Sequence, residues 1–388
     1  MPYTFVTTDS QLADFCQQAS HVPAIAVDTE FVRTRTLYPQ LGLIQIYDGQ
    51  QLVLVDPLEI SDFAPLKNLL SNPDIVKVLH SCSEDLETFW HAFKIMPEPI
   101  FDTQFAASAV GLGVSMGYAK LVELMLDIQV DKGESRTDWL ARPLRKEQCD
   151  YAAKDVLYLF ELYPELKRQT EEQDKLSWVY GEMHALSVKK KNKVPLDMSY
   201  LGYKHNWQLS GKALYVLQKL AAWRVETARK RDLSLNFVVR EQHLLEVARR
   251  QPSSMQELNN VSGLTPQEVR IHGQAMLDII SASESVTAEQ YPPRVERLTD
   301  FAEYKQTVAA LKEVSMAVAE QFGVPIELVG SKKQLNQLIK WCWFKQEETR
   351  EMGLRPDLID GWRKSYFYPL LLKIPTLKLA QCDIQDAN

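Results

Sequence analysis

Four carboxylates and one phenol are the side chains of this sequence best suited to chemistry: Asp28 and Glu30 in AIAVDTEF, Asp85 in HSCSEDLETF, and Tyr151 with Asp155 in YAAKDVLYL. Asp28 and Glu30 are two apart on a predicted strand, so alternation turns both toward one face of a sheet. Tyr151 and Asp155 are four apart on a predicted helix and project from the same side, one turn apart. Asp85 falls in the first turn of a predicted helix, where the exposed amides and the helix dipole favour negative charge. Taken singly, each cluster also reads as solvated surface. Taken together they offer four hard oxygen donors with no histidine or thiolate among them, a set that suits Mg²⁺ or Mn²⁺ better than zinc. The chemistry such a set serves is phosphodiester hydrolysis, in which two cations about 3.5 to 4 Å apart flank an in-line displacement. A phenol with an ordinary pKa of about 10 is a poor base at neutral pH, so Tyr151 is expected to orient the attacking water.

The elements that must position these groups can be read from the pattern. AIAV, LGLIQIY and QLVLVD are predicted strands, the last two separated by the turn signal Asp48-Gly49, and IVKVLH is a fourth. Ser81 and Glu84 form a capping-box pattern ahead of a helix on which Leu86, Phe89, Trp90 and Phe93 recur at helical spacing. A further helix runs from Lys146 to about Arg168 and is expected to bury Val156, Leu159, Phe160 and Tyr163. The expected fold class is α/β, with the first domain covering 1–170. Beyond it the strand-like runs stop. Residues 188–209, with Lys189, Lys190, Lys191, Lys193, Pro195 and Gly202, read as a linker. Two all-helical modules follow at 210–290 and 296–375, separated by SASESVTAEQYPPR, and a polar tail is expected at 376–388. A shift of 91 residues places Ala228, Leu233, Leu235, Phe237, Val238, Leu244 and Val247 on Ala319, Val324, Ile326, Leu328, Val329, Leu335 and Leu338, which makes the modules a distant internal repeat.

Composition limits the alternatives. At 388 residues the chain is too long for one core, and 45% hydrophobic with 10% aromatic residues describes globular protein. No run approaches eighteen apolar residues and MPYTFVTTDSQL lacks the features of a secretory signal, so the cytoplasm is the expected compartment. Five cysteines without CxxC spacing argue against a disulfide framework or structural zinc. A net charge of -7 argues against indiscriminate polyanion binding, and the basic clusters at 189–193 and at Arg229, Lys230, Arg231, Arg240, Arg249 and Arg250 read first as solvated faces. Three domains in one chain make a monomer sufficient.

DTEFVRTRTLYPQLGLIQI, HSCSEDLETF and WLARPLRKEQCDYAAKDVLYL resemble the three exonuclease motifs of the DEDD superfamily in its tyrosine-containing branch, and within it the ribonuclease D family. LQKLAAWRVETARKRDLSLNFVV resembles the helicase-and-RNase-D C-terminal (HRDC) domain. The resemblance implies a ribonuclease H-like domain with a mixed β-sheet followed by two HRDC-type bundles. It also implies two divalent metals, Mg²⁺ or Mn²⁺, on Asp28, Glu30, Asp85 and Asp155, with Tyr151 contacting the attacking water. The implied reaction is 3′-to-5′ release of nucleoside 5′-monophosphates from precursor tRNA and other structured RNAs with a free 3′ end. The other branch of the superfamily carries histidine where this chain has Tyr151. One departure is Ser234-Leu235-Asn236, where many HRDC domains carry a proline after the aspartate. Substrate contact is expected of Arg33 and Arg35 in the RTRT loop, against a solvated-loop reading. Gln45 reads first as a hydrogen-bonded core amide and otherwise as a ribose contact, and His80 first as a structural histidine beside the second motif and otherwise as a substrate contact. A DNA exonuclease is a rival within catalysis, because sugar discrimination depends on how 2′-hydroxyls are met. A noncatalytic RNA-binding scaffold is a rival of another class, and the presence of all four acids argues against it.

Overall fold

A computed structural model describes residues 2–130, 133–134 and 136–385, with side chains through 382. The first part of the chain builds a six-stranded mixed sheet from β1 (Thr4–Val6), β2 (Ala24–Val32), β3 (Gln40–Tyr47), β4 (Leu52–Val55), β5 (Val76–Leu79) and β6 (Ile100–Asp102), in spatial order β1-β4-β3-β2-β5-β6. β2 is central: it pairs antiparallel with β3 and parallel with β5. Around it lie α1 (Asp9–Ala19), α2 (Ala64–Ser71), α3 (Ser83–Phe93), α4 (Thr103–Ala109), α5 (Tyr118–Leu126), α6 (Lys146–Glu172) and α7 (Leu176–Lys191). Alternation along β2 divides the core. Ile25 and Val27 pack with Phe15, Leu66, Leu86 and Phe89 from α1, α2 and α3, whereas Ala24 and Ala26 pack with Ala152, Val156 and Leu159 of α6. The small side chains on the α6 face suit a long helix lying across the sheet centre. This is the ribonuclease H-like α/β arrangement expected from the motifs.

Several expectations are corrected in detail. The strands β1 and β6 span three residues each, too few to show a period, and were missed. The Ser81/Glu84 capping box does not form. Ser81 takes a left-handed φ of 55°, and the N-cap of α3 is Cys82 with no side-chain cap. Asp102 does the work instead: one of its oxygens accepts from Cys82 N at 2.9 Å and the other from Phe105 N at 2.9 Å, so a single carboxylate satisfies orphan amides at the starts of α3 and α4.

The expected linker at 188–209 is largely ordered. Its lysines continue α7 to Lys191, where cations complement the helix C-terminus, and Lys189, Lys190 and Lys191 reach Asp357, Glu87 and Glu98. After α7, Met198 is buried, and Tyr200, Tyr203 and Leu209 pack into the core of the next module.

That module is α8 (Gly211–Arg231), α9 (Leu235–Val238), α10 (Glu241–Arg250), α11 (Met255–Asn259) and α12 (Pro266–Ala282). The second comprises α13 (Tyr304–Phe322), α14 (Ile326–Gly330), α15 (Lys332–Trp343), α16 (Glu348–Glu351), α17 (Lys364–Leu371) and α18 (Leu379–Gln385). The repeat is real at the level of elements: Leu235 and Ile326 open corresponding helices 91 residues apart, as do Glu241 and Lys332. Of the matched pairs, Phe237 breaks the pattern, being 50% exposed where Leu328 is buried. The tail at 376–388 is not uniformly polar, since Leu377, Leu379 and Cys382 pack into the core of the second module; residues 386–388 lie outside those described.

Both modules are fastened to the α/β domain. Asp232, in the left-handed C-cap position of α8, accepts from Leu37 N and Tyr38 N at 3.1 Å each, and Ser234 N donates to Arg35 O at 2.7 Å. On the other side, Trp178 of α7 stacks on Trp362 at 4.2 Å between ring centroids. The buried Lys175 ammonium donates to Ala109 O at 2.8 Å and Phe322 O at 3.0 Å. Arg363 and Trp362 both reach Glu182. Among the described residues, no helix is long and apolar enough to cross a membrane.

Candidate active site

The site is built on the central strand. Asp28 and Glu30 face α6, and α6 presents Asp155 to them, so that one carboxylate oxygen from each of the three lies within 4.8 Å of the others. The strand pair is irregular at this point: Glu30 pairs with Leu43 and Phe31 with Leu41, leaving Gly42 as an extra residue on β3. Gly42 sits against the segment that leads into α6. An added Cβ would lie 2.5 Å from Trp139 O, and Gly42 O accepts from Arg142 Nη2 at 2.7 Å. Arg142 also grips the buried Asp56 through two bonds of 2.6 and 2.7 Å. Gly42→Ala is therefore expected to destabilise the fold by about 1–3 kcal/mol, since backbone must move to admit the methyl, and to weaken Mn²⁺ binding by displacing Glu30. Chemical denaturation and calorimetry check both. Unchanged stability would show that the close approach carries no strain.

Asp85 arrives from the opposite face. It is buried in the first turn of α3, and its partner is Thr29, whose hydroxyl donates to Asp85 Oδ1 at 2.5 Å. Asp85 is not one of the three acids with mutually close oxygens, yet its charge raises the pKa of both Asp28 and Glu30. Three of the expected acids thus converge directly, and the fourth stands within electrostatic range across β2. Tyr151, half-buried on α6, hydrogen-bonds Asp155. Tyr118, which the sequence pattern did not single out, donates its hydroxyl to Asp155 O at 2.5 Å, and burial, then the charges of Asp155 and Asp28, raise its pKa.

Burial dominates the electrostatics. It pushes Asp155 and Asp85 up to about 7, opposed in Asp85 by the Thr29 hydrogen bond and in Asp155 by Tyr151. Burial, then the charges of Asp155 and Asp85, pushes Glu30 to about 9, and Asp28 rises for the same reasons. Burial and the neighbouring acids hold Tyr151 above its ordinary range, so it stays protonated. Asp155 Oδ1 is buried without a hydrogen-bond partner. An orphaned carboxylate oxygen amid mutually repelling acids is a donor set that fits a hard divalent cation. The pH dependence follows with a definite sign. The folded pKa values are raised, so the stability contributed by the neutral acids is fully present below about pH 4 and is lost as pH rises through about 7 and about 9. Without metal, the melting temperature is expected to fall between about pH 5 and pH 9, and added Mn²⁺ should raise it most at the alkaline end. A metal-free melting temperature that rises over this range would contradict the arrangement.

Arg33, Arg35, Gln45 and His80 are each held within the fold. Arg33 pairs with Glu87 at 3.0 Å and donates to Leu37 O at 2.6 Å, and the Arg35 guanidinium lies over the Phe237 ring at 5.3 Å. Both arginines brace the β2–β3 loop. Gln45 stands directly across from Asp28 on β3, fully buried, with neither amide atom hydrogen-bonded. It is neither the satisfied core amide expected nor open to a ribose. His80 Nδ1 is 2.9 Å from Thr103 Oγ1 and its ring meets Tyr118 edge-on at 5.5 Å, a structural setting in which burial lowers its pKa. A cleft of about 770 Å³ opens beside the start of α3, between Ser81, Cys82 and Ser83 on one side and Lys333, Gln337 and Lys340 of α15 on the other.

With this geometry in hand, comparison with known proteins is decisive. Residues 3–171 match the 3′-5′ exonuclease family, 213–280 the HRDC domain, and 302–369 the C-terminal HRDC domain of ribonuclease D. Ribonuclease D of Musicola paradisiaca (strain Ech703) is 42% identical over 95% of this chain and 97% of its own length. This chain belongs to the ribonuclease D family. Ribonuclease D of Escherichia coli (strain K12) is likewise 42% identical, over 94% of this chain and 96% of its own. The crystal structure of Escherichia coli RNase D, described as an exoribonuclease involved in structured RNA processing, superposes with a TM-score of 0.93 at 41% identity, covering 97% of this chain and 99% of that one. The catalytic core of RRP6 from Trypanosoma brucei is more distant, with a TM-score of 0.57 at 25% identity over 73% of this chain and 79% of that one.

Proposed function

We propose that this member of the ribonuclease D family is a metal-dependent 3′-to-5′ exoribonuclease that releases nucleoside 5′-monophosphates from structured RNAs, precursor tRNA among them. The observation that carries the reading is the convergence of Asp28, Glu30 and Asp155 from two elements, with the Tyr151 phenol on the last of them. Asp28, Glu30, Asp85 and Asp155 would hold two Mg²⁺ or Mn²⁺ ions, which supply water activation and neutralise charge on the scissile phosphate and its leaving oxygen.

The protein's own groups do the rest. The carboxylates fix where the phosphate at the RNA end must lie. Tyr151, kept protonated by its surroundings, directs a hydrogen bond at the attacking water and takes no proton from it. The Thr29, Tyr118 and Arg142 contacts hold the acids and their helix in place before substrate arrives. The same reading takes the protein as a cytoplasmic monomer, its three modules joined within one chain.

The test uses 5′-labelled RNA and a DNA strand of the same sequence, with Mg²⁺ or with chelator, for the wild type and Asp155→Asn. Stepwise shortening of RNA from the 3′ end, lost with chelator and in the variant, is expected. Faster shortening of DNA would favour a DNA exonuclease, and equal, metal-independent loss of RNA in both proteins would remove the reading.

A further inference from the structure

The acid set straddles a strand. Asp28 and Glu30 leave β2 toward α6 and meet Asp155 there; Asp85 stands on α3, which packs on the other face. Thr29 lies between Asp28 and Glu30, and alternation sends its side chain to the Asp85 side. It is 6% exposed, and its hydroxyl donates to Asp85 Oδ1 at 2.5 Å.

A buried carboxylate without a counter-ion depends on its hydrogen bonds for both its charge and its orientation. Thr29 has one proton to give. It spends that proton on one oxygen of Asp85 and leaves the other oxygen off the threonine. The β-branched side chain on an interior strand has restricted rotation, so the direction of the hydroxyl follows the strand that carries Asp28 and Glu30. Any shift of that strand therefore carries Asp85 with it.

We propose that Thr29 is a positioning residue that ties Asp85 to the strand of Asp28 and Glu30 and so holds the cation position that Asp85 serves. This rests on the two-cation reading above. Groups behind metal ligands typically change metal affinity or activity by about 10- to 100-fold when removed. Losing the Thr29 hydroxyl should then weaken one cation and spare the other, an asymmetry that general loosening of the fold does not produce.

The experiment is calorimetric titration of the full chain with Mn²⁺ alone, for the wild type, Thr29→Val, Thr29→Ala and Thr29→Ser. Two equivalents are expected in the wild type. Thr29→Val should retain one at wild-type affinity and bind the second about tenfold or more weakly. Thr29→Ser, which keeps the hydroxyl, should restore both. Turnover of RNA should follow the weakened equivalent, with kcat reduced and KM unchanged in Thr29→Val. If the valine packs badly and the variant does not fold, Thr29→Ala carries the same expectation. Two unaltered equivalents in the hydroxyl-free variants, or equal weakening of both, would overturn the assignment of Thr29. A single equivalent in the wild type would instead overturn the two-cation reading.

Discussion

Asp28→Asn is expected to lower turnover by about 10³-fold or more, equivalent to about 4 kcal/mol of lost transition-state stabilisation, and at the same time to raise the melting temperature of the metal-free protein at alkaline pH. The two effects share one cause. Asp28 is the most crowded acid of the set, with Asp85, Asp155 and Glu30 all raising its pKa beyond the effect of burial. Its charge is useful only when cations offset it. Replacing the carboxylate by a neutral amide of nearly the same shape removes the repulsion from the resting protein and, on the proposed mechanism, a cation ligand from the working one. Steady-state rates with saturating Mn²⁺ measure the first effect, and thermal melts in chelator the second. The alkaline fall in metal-free stability should also be shallower in the variant than in the wild type. A variant that loses activity and stability together would mean that Asp28 is a structural carboxylate, and the site would have to be rebuilt without it.

Tyr151→Phe is expected to reduce kcat by about 10²-fold, the scale of a misplaced reacting group, with Mn²⁺ affinity close to that of the wild type. The ring is retained, and its tilted contact with Trp139 at 6.3 Å between centroids does not involve the hydroxyl. What is lost is the hydrogen bond to Asp155 and, on the proposed mechanism, the donor aimed at water. The phenol helps Asp155 to ionise, so its removal should also move the acid limb of the pH–rate profile upward. Turnover equal to that of the wild type would leave the hydroxyl without a role.

The division between what the sequence disclosed and what it concealed follows the range of the interactions. Asp28 with Glu30, and Tyr151 with Asp155, were legible because each pair is fixed by the period of a single element. The repeat was legible for the same reason, since α8, α9 and α10 keep their spacing in α13, α14 and α15. Thr29 was not, because its meaning depends on a helix 56 residues away on the far side of the sheet. Gly42 became informative only once Trp139 O was found against it. Ser81 and Glu84 had the right types for a cap, but Asp102, from another strand, supplied it. Arg33 and Arg35 suggested phosphate contact by composition, and tertiary packing turned them to Glu87 and Phe237. Leu377, Leu379 and Cys382 were too sparse in a polar stretch to announce a buried segment.

The attachment of the helical region at two places, through Asp232 to the loop after β2 and through Lys175, Trp178 and Glu182 to the start and body of α7, has a kinetic consequence. Each attachment keeps its counterpart at high effective concentration, so a momentary break at one is followed by re-formation before the module can diffuse away. The helical modules are in this sense walls and not swinging arms, and their place beside the α/β domain is set by the resting fold.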